Sequence, residues 1–335
     1  MKPQPYLFIL AVSGLAIVTF VTLLGAPRLF PGLQPQPLSL ALSDWPGDQV
    51  FAFVDLLHLD APHHLDLDLR RVPAVDDLLA TWRNGLLDTQ IITLDAGFTL
   101  AEDDDIRIIY AYDASFGADA MVAANPIRSV DDLRGQTIGV EFGYPSHFLT
   151  LNILARAGLS PTDVTLVDVQ IDEVETALAS GRVAAITTWE PKVSDLLAQR
   201  ADWRVLSSSR DFPALILNVI VVRASALEQN RAVYVNLIRA TDAAIRQCKR
   251  DLRPCLERLA IESGRSVVEW EADFKGIRLL DLADNQQLFK AAGPDGLAAK
   301  LAAVHTFLRA NRPDMPAFDI SQWLDGSLVQ EAAAQ

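Results

Sequence analysis

The sequence has 335 residues, of which 50% are hydrophobic and 21% are charged. This composition is typical of a folded globular protein, and the length allows two α/β domains with separate cores. The formal net charge of −14 excludes a nucleic-acid-binding protein, because there is no excess of Lys and Arg to neutralise phosphates. The same charge would repel anionic lipid headgroups, so any contact with a membrane must be hydrophobic.

The N-terminal segment offers such a contact. Residues 6–24 form an uncharged, mostly apolar run, and about 20 residues at a rise of about 1.5 Å cross a hydrocarbon core of about 30 Å. The nearest small-x-small cleavage motif is 24–26, which Pro27 follows directly. We therefore expect residues 1–28 to form a transmembrane anchor, with a cleaved signal helix as the alternative. Residues 29–37 predict a Pro-rich linker.

From residue 38 onward, short β-rich runs alternate with helical runs. The first part of the chain predicts strands at 38–42, 64–72, 89–94 and 106–112. Its predicted helices are 47–57 and 75–84. The next part predicts strands at 120–124, 137–142, 164–169 and 183–188. The helices between them are 145–157, 172–180 and 191–199. Such a βαβα series indicates parallel strands that are covered by helices.

The C-terminal part is mostly helical. An apolar run at 215–222 precedes predicted helices at 230–249, 254–263, 267–274 and 296–310. The two cysteines of the chain, Cys248 and Cys255, would lie about 10.5 Å apart in one straight helix, which is too far for a disulfide. Pro254 should break that helix, so the sequence leaves open either a disulfide or two separate core thiols.

These elements predict two lobes. We expect lobe 1 to comprise residues 38–122 and 221–330, and lobe 2 to comprise residues 123–220. Two extended crossings, near 120–124 and 217–223, would join the lobes and would suit a hinge.

Four loops place polar or aromatic residues where a strand ends and a helix begins. They are 43–47, 94–97, 142–147 and 188–191. In open α/β sheets, ligands bind beyond the carboxyl ends of the strands, where helix N–H groups are also exposed. The loops therefore predict one shared cleft, although Trp45 and Trp189 would also be compatible with packing.

A cluster of His and Asp residues at 58–68 has metal-ligand residue types, but its position between a helix and a strand favours a solvated loop.

The same loops carry a family resemblance. The matching segments are Asp-Trp-Pro-Gly at 44–47, then 113–119, 131–141, 180–185 and Trp-Glu-Pro at 189–191. In this order and spacing the chain resembles the periplasmic binding proteins for nitrate, sulfonate, taurine and thiamine-precursor uptake (SsuA- and TauA-like proteins). Relatives typically carry an Asp where this chain has Ala184. That position precedes a strand, so the difference leaves the cleft intact.

The resemblance implies an α/β, two-lobed type II periplasmic-binding-protein fold with a hinge and a central cleft, behind the N-terminal transmembrane or signal helix. It also implies extracytoplasmic binding of a small solute for an ABC importer, with permease and ATPase subunits as partners. A ligand-sensing receptor subunit for a membrane signalling partner is the alternative.

The motifs of common hydrolases, metalloproteases and P-loop proteins are missing from the sequence. We therefore expect no catalytic residue, no metal and no cofactor.

We expect the ligand to contact residues in these loops and at the crossings. The candidate ligand-binding residues are Asp44, Trp45, Asp95, Asp113, Ser115, Glu141, His147, Trp189, Glu190 and Asn218. Asp113, Ser115 and also Asp119 would either contact the ligand or cap turns at the hinge. Acidic residues outnumber basic ones in this set, and carboxylates disfavour anions such as sulfonate or nitrate. The sequence therefore favours a nitrogen-containing solute with amine, amidine or amide donors and a flat portion.

Overall fold

The computed structural model describes residues 35–72, 75–312 and 314–334. The anchor predicted at 1–28, and the linker up to residue 34, lie outside the described residues. Within the described ranges, no helix combines the length and the apolar character needed to cross a membrane.

The first lobe contains two sheets. Strands β1 (Gln36–Leu42) and β2 (Leu65–Arg71) form a parallel pair. The second sheet has the order β11-β4-β10-β3, and its strands are β3 (Thr89–Thr93), β4 (Ile106–Ser115), β10 (Leu217–Arg223) and β11 (Ile277–Leu279). The helices of the first half of this lobe are α1 (Gln49–Leu56), α2 (Val75–Arg83) and α3 (Ala96–Leu100).

The second lobe contains one five-stranded sheet. Its order is β7-β6-β8-β5-β9, with β5 (Asp119–Ala123), β6 (Thr137–Val140), β7 (Thr165–Asp168), β8 (Ala185–Trp189) and β9 (Arg204–Ser208). Strands β6, β7 and β8 are parallel, as the βαβα pattern predicts, while β5 is antiparallel to both β8 and β9. The helices are α4 (Pro145–Arg156), α5 (Val174–Ala179) and α6 (Lys192–Gln199). Strand β9 is a partly exposed edge strand without an apolar run, so the sequence pattern does not reveal it.

The C-terminal part returns to the first lobe as a helical layer. Its helices are α7 (Ala224–Gln229), α8 (Arg231–Arg250), α9 (Arg253–Ser263), α10 (Val267–Phe274), α11 (Leu282–Lys290), α12 (Leu297–Asn311) and α13 (Ser327–Ala333). Because the chain turns between α8 and α9, the Cα atoms of Cys248 and Cys255 lie 6.1 Å apart and the two residues form a disulfide. This decides between the two states that the sequence left open.

The two crossings between the lobes lie a few residues away from their predicted positions. The predicted segments 120–124 and 217–223 coincide with strands β5 and β10, and the predicted boundaries at 122/123 and 220/221 cut these strands. The chain changes sheet at 116–118 and again at 209–216. The physical reason is that a run of apolar, β-branched residues is stabilised inside a sheet, so the chain leaves each sheet only where that run ends.

Side-chain hydroxyls hold the two crossings together. The Ser115 and Ser209 hydroxyl oxygens lie 2.7 Å apart, and the Gly117 N–H donates to Ser209 Oγ at 2.7 Å. Gly117 has φ of +115°, a region in which glycine is strongly favoured. Ser115 therefore belongs to the junction between the lobes.

Candidate ligand-binding site

A cleft of about 440 Å³ opens between the two lobes. Trp45 and Asn218 line it from the first lobe, and Glu141 and Trp189 line it from the second. Asp44, at the mouth, is exposed. These are five of the ten candidate residues, and the structure brings all of them to one cavity.

The loop after β1 fixes the position of Trp45. The Asp48 carboxylate accepts hydrogen bonds from the Ser43 N–H at 3.1 Å and from the Ser43 hydroxyl at 2.6 Å. The Trp45 N–H donates to Ser43 Oγ at 3.1 Å. Gly47 is required here, because a Cβ at this position would overlap the Asp113 carboxylate. One edge of the Trp45 ring system is thereby held against the end of β4.

Asp113 lies behind the cleft wall and positions two residues that line it. Its carboxylate accepts the Trp45 Nε1–H at 3.0 Å and the Asn218 Nδ2–H at 2.8 Å. The register of the sheet places Asp113 opposite Asn218. Asp113 itself is fully buried, so the structure places it as a support of the cleft.

The other four candidates also lie outside the cleft lining. Glu190 caps α6, because its carboxylate accepts the N–H and the hydroxyl of Ser194, both at 2.9 Å. His147 packs its ring against Phe142 and against Phe307 of the first lobe, with centroids 5.2 and 5.6 Å apart. Burial lowers the pKa of His147. The remaining two are Ser115 at the lobe junction and Asp95 at the start of α3.

Several lining residues are not among the ten candidates. They include Asp48, Asp119, Tyr144, Gln170, Asp172 and Lys192, together with an apolar wall of Leu78, Ile91, Ile92 and Ile216. Gln170 and Asp172 follow the carboxyl end of β7. Their loop is therefore a fifth strand-end loop with polar residues, and the rule that ligands bind at strand ends applies to it as well. Asp119 lies within the segment 113–119 of the family resemblance.

Buried carboxyl groups gather at the side of the cleft where the lobes join. Desolvation raises the pKa of Asp48 and Asp95 to about 6 and the pKa of Asp113 and Asp119 to about 7. None of these four carboxylates forms an ion pair within the described ranges. Hydrogen bonds from Ser43 and from the Tyr112 hydroxyl, which donates to Asp48 at 2.6 Å, oppose the shift at Asp48. Among the described lining residues, Lys192 is the one cationic side chain.

The predicted metal-ligand types at 58–68 do not come together. Over the residues that the structure describes, no group of three His, Cys, Asp or Glu side chains is placed to hold a metal ion.

Comparison with known proteins extends these observations. Residues 94–251 match the family model described as NMT1/THI5 like. The putative aliphatic sulfonates-binding protein of Escherichia coli (strain K12) is 36% identical over 92 residues, which cover 27% of this chain and 28% of that protein. A putative binding protein of Brucella abortus (strain 2308) is 24% identical over 180 residues, or 51% of this chain and 53% of that protein. The matched segments thus span from about a quarter to about half of these relatives.

Solved structures share the fold over most of the chain. The periplasmic aliphatic sulphonate binding protein SsuA from Escherichia coli superposes with a TM-score of 0.71 at 20% identity, over 87% of this chain and 92% of that chain. The similar structures are mostly binding proteins, and one is a DSZB variant in complex with biphenyl-2-sulfinic acid. The resemblance to SsuA-like binding proteins is thereby confirmed: residues 94–251 are similar to the NMT1/THI5-like family model, and the chain has the α/β periplasmic-binding-protein fold.

Proposed function

We propose that this protein captures a small solute outside the cytoplasm and delivers it to an ABC importer without changing it chemically. One observation carries the proposal: the cleft is lined from both lobes, with Trp45 on one side and Trp189 on the other. Apolar and aromatic walls with a few placed polar groups are typical of small-molecule sites. Rotation of the lobes about the crossings at 116–118 and 209–216 would close the cleft over the solute.

The lining charges favour a nitrogen-containing solute. Asp44, Asp48, Asp119, Glu141 and Asp172 line the cleft, against Lys192. A sulfonate needs donors and positive charge, whereas these groups accept hydrogen bonds once they are ionised. Although relatives are named for sulfonates, we infer that this cleft prefers amine, amidine or amide donors on a flat body.

A thermal-shift panel of sulfonates, nitrate, pyrimidines, amides and amines tests this function. A true ligand at 100-fold its Kd adds roughly 2.7 kcal/mol to the free energy of unfolding, which raises Tm by a few degrees. We expect a nitrogenous donor to stabilise the protein, and small-angle scattering of that complex to show a smaller radius of gyration. Stabilisation by an alkanesulfonate alone would contradict the solute class. A saturated complex with unchanged dimensions would contradict hinge closure.

We further propose that residues 1–28 hold the protein at the periplasmic face of the inner membrane. The apolar run 6–24 supports this location. The full chain is expected in the membrane fraction, and a chain that begins at Pro35 in the soluble fraction. Mature protein that starts between Ala26 and Gln36 would instead indicate a cleaved signal.

The identity of the protein that binds the closed, solute-bound form distinguishes an importer component from a sensor. Co-purification of the solute-bound protein with a permease and an ATPase would support import. Capture of a membrane kinase or cyclase would support the receptor subunit.

A further inference from the structure

The Asp119 carboxylate has an oxygen without a hydrogen-bond partner among the described atoms. Asp119 is the first residue of β5, directly after the crossing at 116–118, and it lines the cleft. Only 3% of its surface is exposed, and no described atom donates a hydrogen bond to its Oδ2. Burying a carboxylate oxygen costs free energy unless a donor reaches it, so a ligand that carries such a donor would gain by binding at this position.

The groups around Asp119 do not supply positive charge to it. The carboxylates of Asp95, at the start of α3, and Glu190, after β8, both raise its pKa, and a hydrogen bond with Ser115 of β4 lowers it. Asp113 of β4 also interacts electrostatically with Asp119. Arg210 stacks on Phe116 with 4.8 Å to the ring centroid. Lys192, at the start of α6, lines the cleft but forms no ion pair with Asp119.

An aromatic residue, Trp189, lies opposite Asp119 in the sheet of the second lobe. The register of the second sheet pairs Asp119 with Trp189 across β5 and β8, and both residues line the cleft. A carboxylate beside an indole suits a flat cation, because the charge pairs with the carboxylate while the ring packs on the aromatic face.

We propose that Asp119 anchors a cationic nitrogen group of the solute, an ammonium or amidinium, beside the face of Trp189. The inference rests on the solute-binding function proposed above and narrows the nitrogen-containing solutes to cations. In the free protein, burial keeps the Asp119 carboxyl largely protonated up to about pH 7. The incoming cation then binds the ionised carboxylate and releases the proton to solvent, so binding is linked to pH.

Three probes with one ring and different charge test the anchor: benzamidine, benzamide and benzenesulfonate. Isothermal titration calorimetry at pH 7.5 is expected to show benzamidine binding at least tenfold more tightly than benzamide, and no binding of benzenesulfonate. Below pH 7, the benzamidine affinity should fall about tenfold per pH unit. At pH 6, titrations in two buffers of different ionisation enthalpy should show close to one proton released per ligand.

Asp119→Asn should weaken benzamidine binding by about 10- to 100-fold and should abolish its pH dependence. The matched control is Asp131→Asn, which removes the same charge from an exposed residue of the second lobe outside the described cleft lining and should change affinity by less than about threefold. Because the amide removes a desolvated carboxyl, we expect the Tm of Asp119→Asn at pH 7.5 to be no lower than that of the wild type.

Equal affinity for benzamidine and benzamide would overturn the anchor, as would unchanged benzamidine binding by Asp119→Asn. Benzamidine binding without proton release at pH 6 would overturn the anchor as well, and this test needs only the wild-type protein. Failure of all three probes would also reject this anchor. The solute-binding function is judged separately, because it fails only if no compound of the wider panel stabilises the protein.

Discussion

Trp45→Ala is expected to lower the free energy of unfolding by about 3–5 kcal/mol and to abolish tight solute binding. Trp45 is only 9% exposed, and its indole N–H is the donor to the buried Asp113 carboxylate. The truncation would leave a cavity and would deprive Asp113 of one of its two side-chain donors. Urea unfolding and benzamidine calorimetry measure the two losses.

The half-buried Trp189 should behave differently, because it lines the cleft without being sealed in a core. Trp189→Ala is expected to weaken binding by about 1–3 kcal/mol while most of the stability is kept. Trp203→Ala is the control: Trp203 is buried in a core of the second lobe and lies outside the described cleft lining. That variant should lose stability and keep its affinity. A Trp189→Ala protein that is much less stable yet binds normally would make Trp189 a packing residue.

The ligand-free protein is expected to lose stability between pH 5 and pH 8. The pKa values of Asp95 and Asp119 are raised by desolvation from 3.8 to about 6 and about 7. A carboxyl with a raised folded-state pKa contributes its full stability below the unfolded pKa and loses it as the pH rises through the folded pKa. For Asp119 alone, the loss between pH 5 and pH 8 is about 2–3 kcal/mol.

Other titrating groups also contribute to the pH dependence of the free energy of unfolding, so the measurement needs a variant as a reference. Burial lowers the pKa of His63 and His147, so their contribution to stability grows as the pH rises and opposes the loss. Carboxylates with lowered pKa values, such as Asp163 and Asp281, are ionised in both states above pH 5. Urea unfolding of the wild type and of Asp119→Asn at pH 5 and pH 8 isolates the buried carboxyl. Identical pH slopes in the two proteins would contradict the prediction.

Local sequence patterns were sufficient for most elements and for half of the candidate site. The strands and helices of the second lobe follow from apolar periodicity and from caps, such as Ser129 before the turn at Val130–Leu133. The rule that ligands bind at strand ends selected Trp45, Glu141 and Trp189, which line the cleft. Short or partly exposed elements, such as β9 and β11, lack an apolar pattern and were missed.

What the sequence alone determined is therefore the α/β alternation, the acidic charge and the presence of polar and aromatic loops at strand ends. The tertiary structure decided which of the acidic residues face the cleft. Asp113 supports Trp45 across 68 residues and Asn218 across 105. The second pair exists because the sheet register brings β4 beside β10, and the first because the loop after β1 packs against the end of β4. Glu190 caps α6 and does not line the cleft, because the free N–H of Ser194 in the first turn of that helix binds its carboxylate. Asp119, which no periodicity distinguishes from its neighbours, was placed in the cleft by the change of sheet at 116–118.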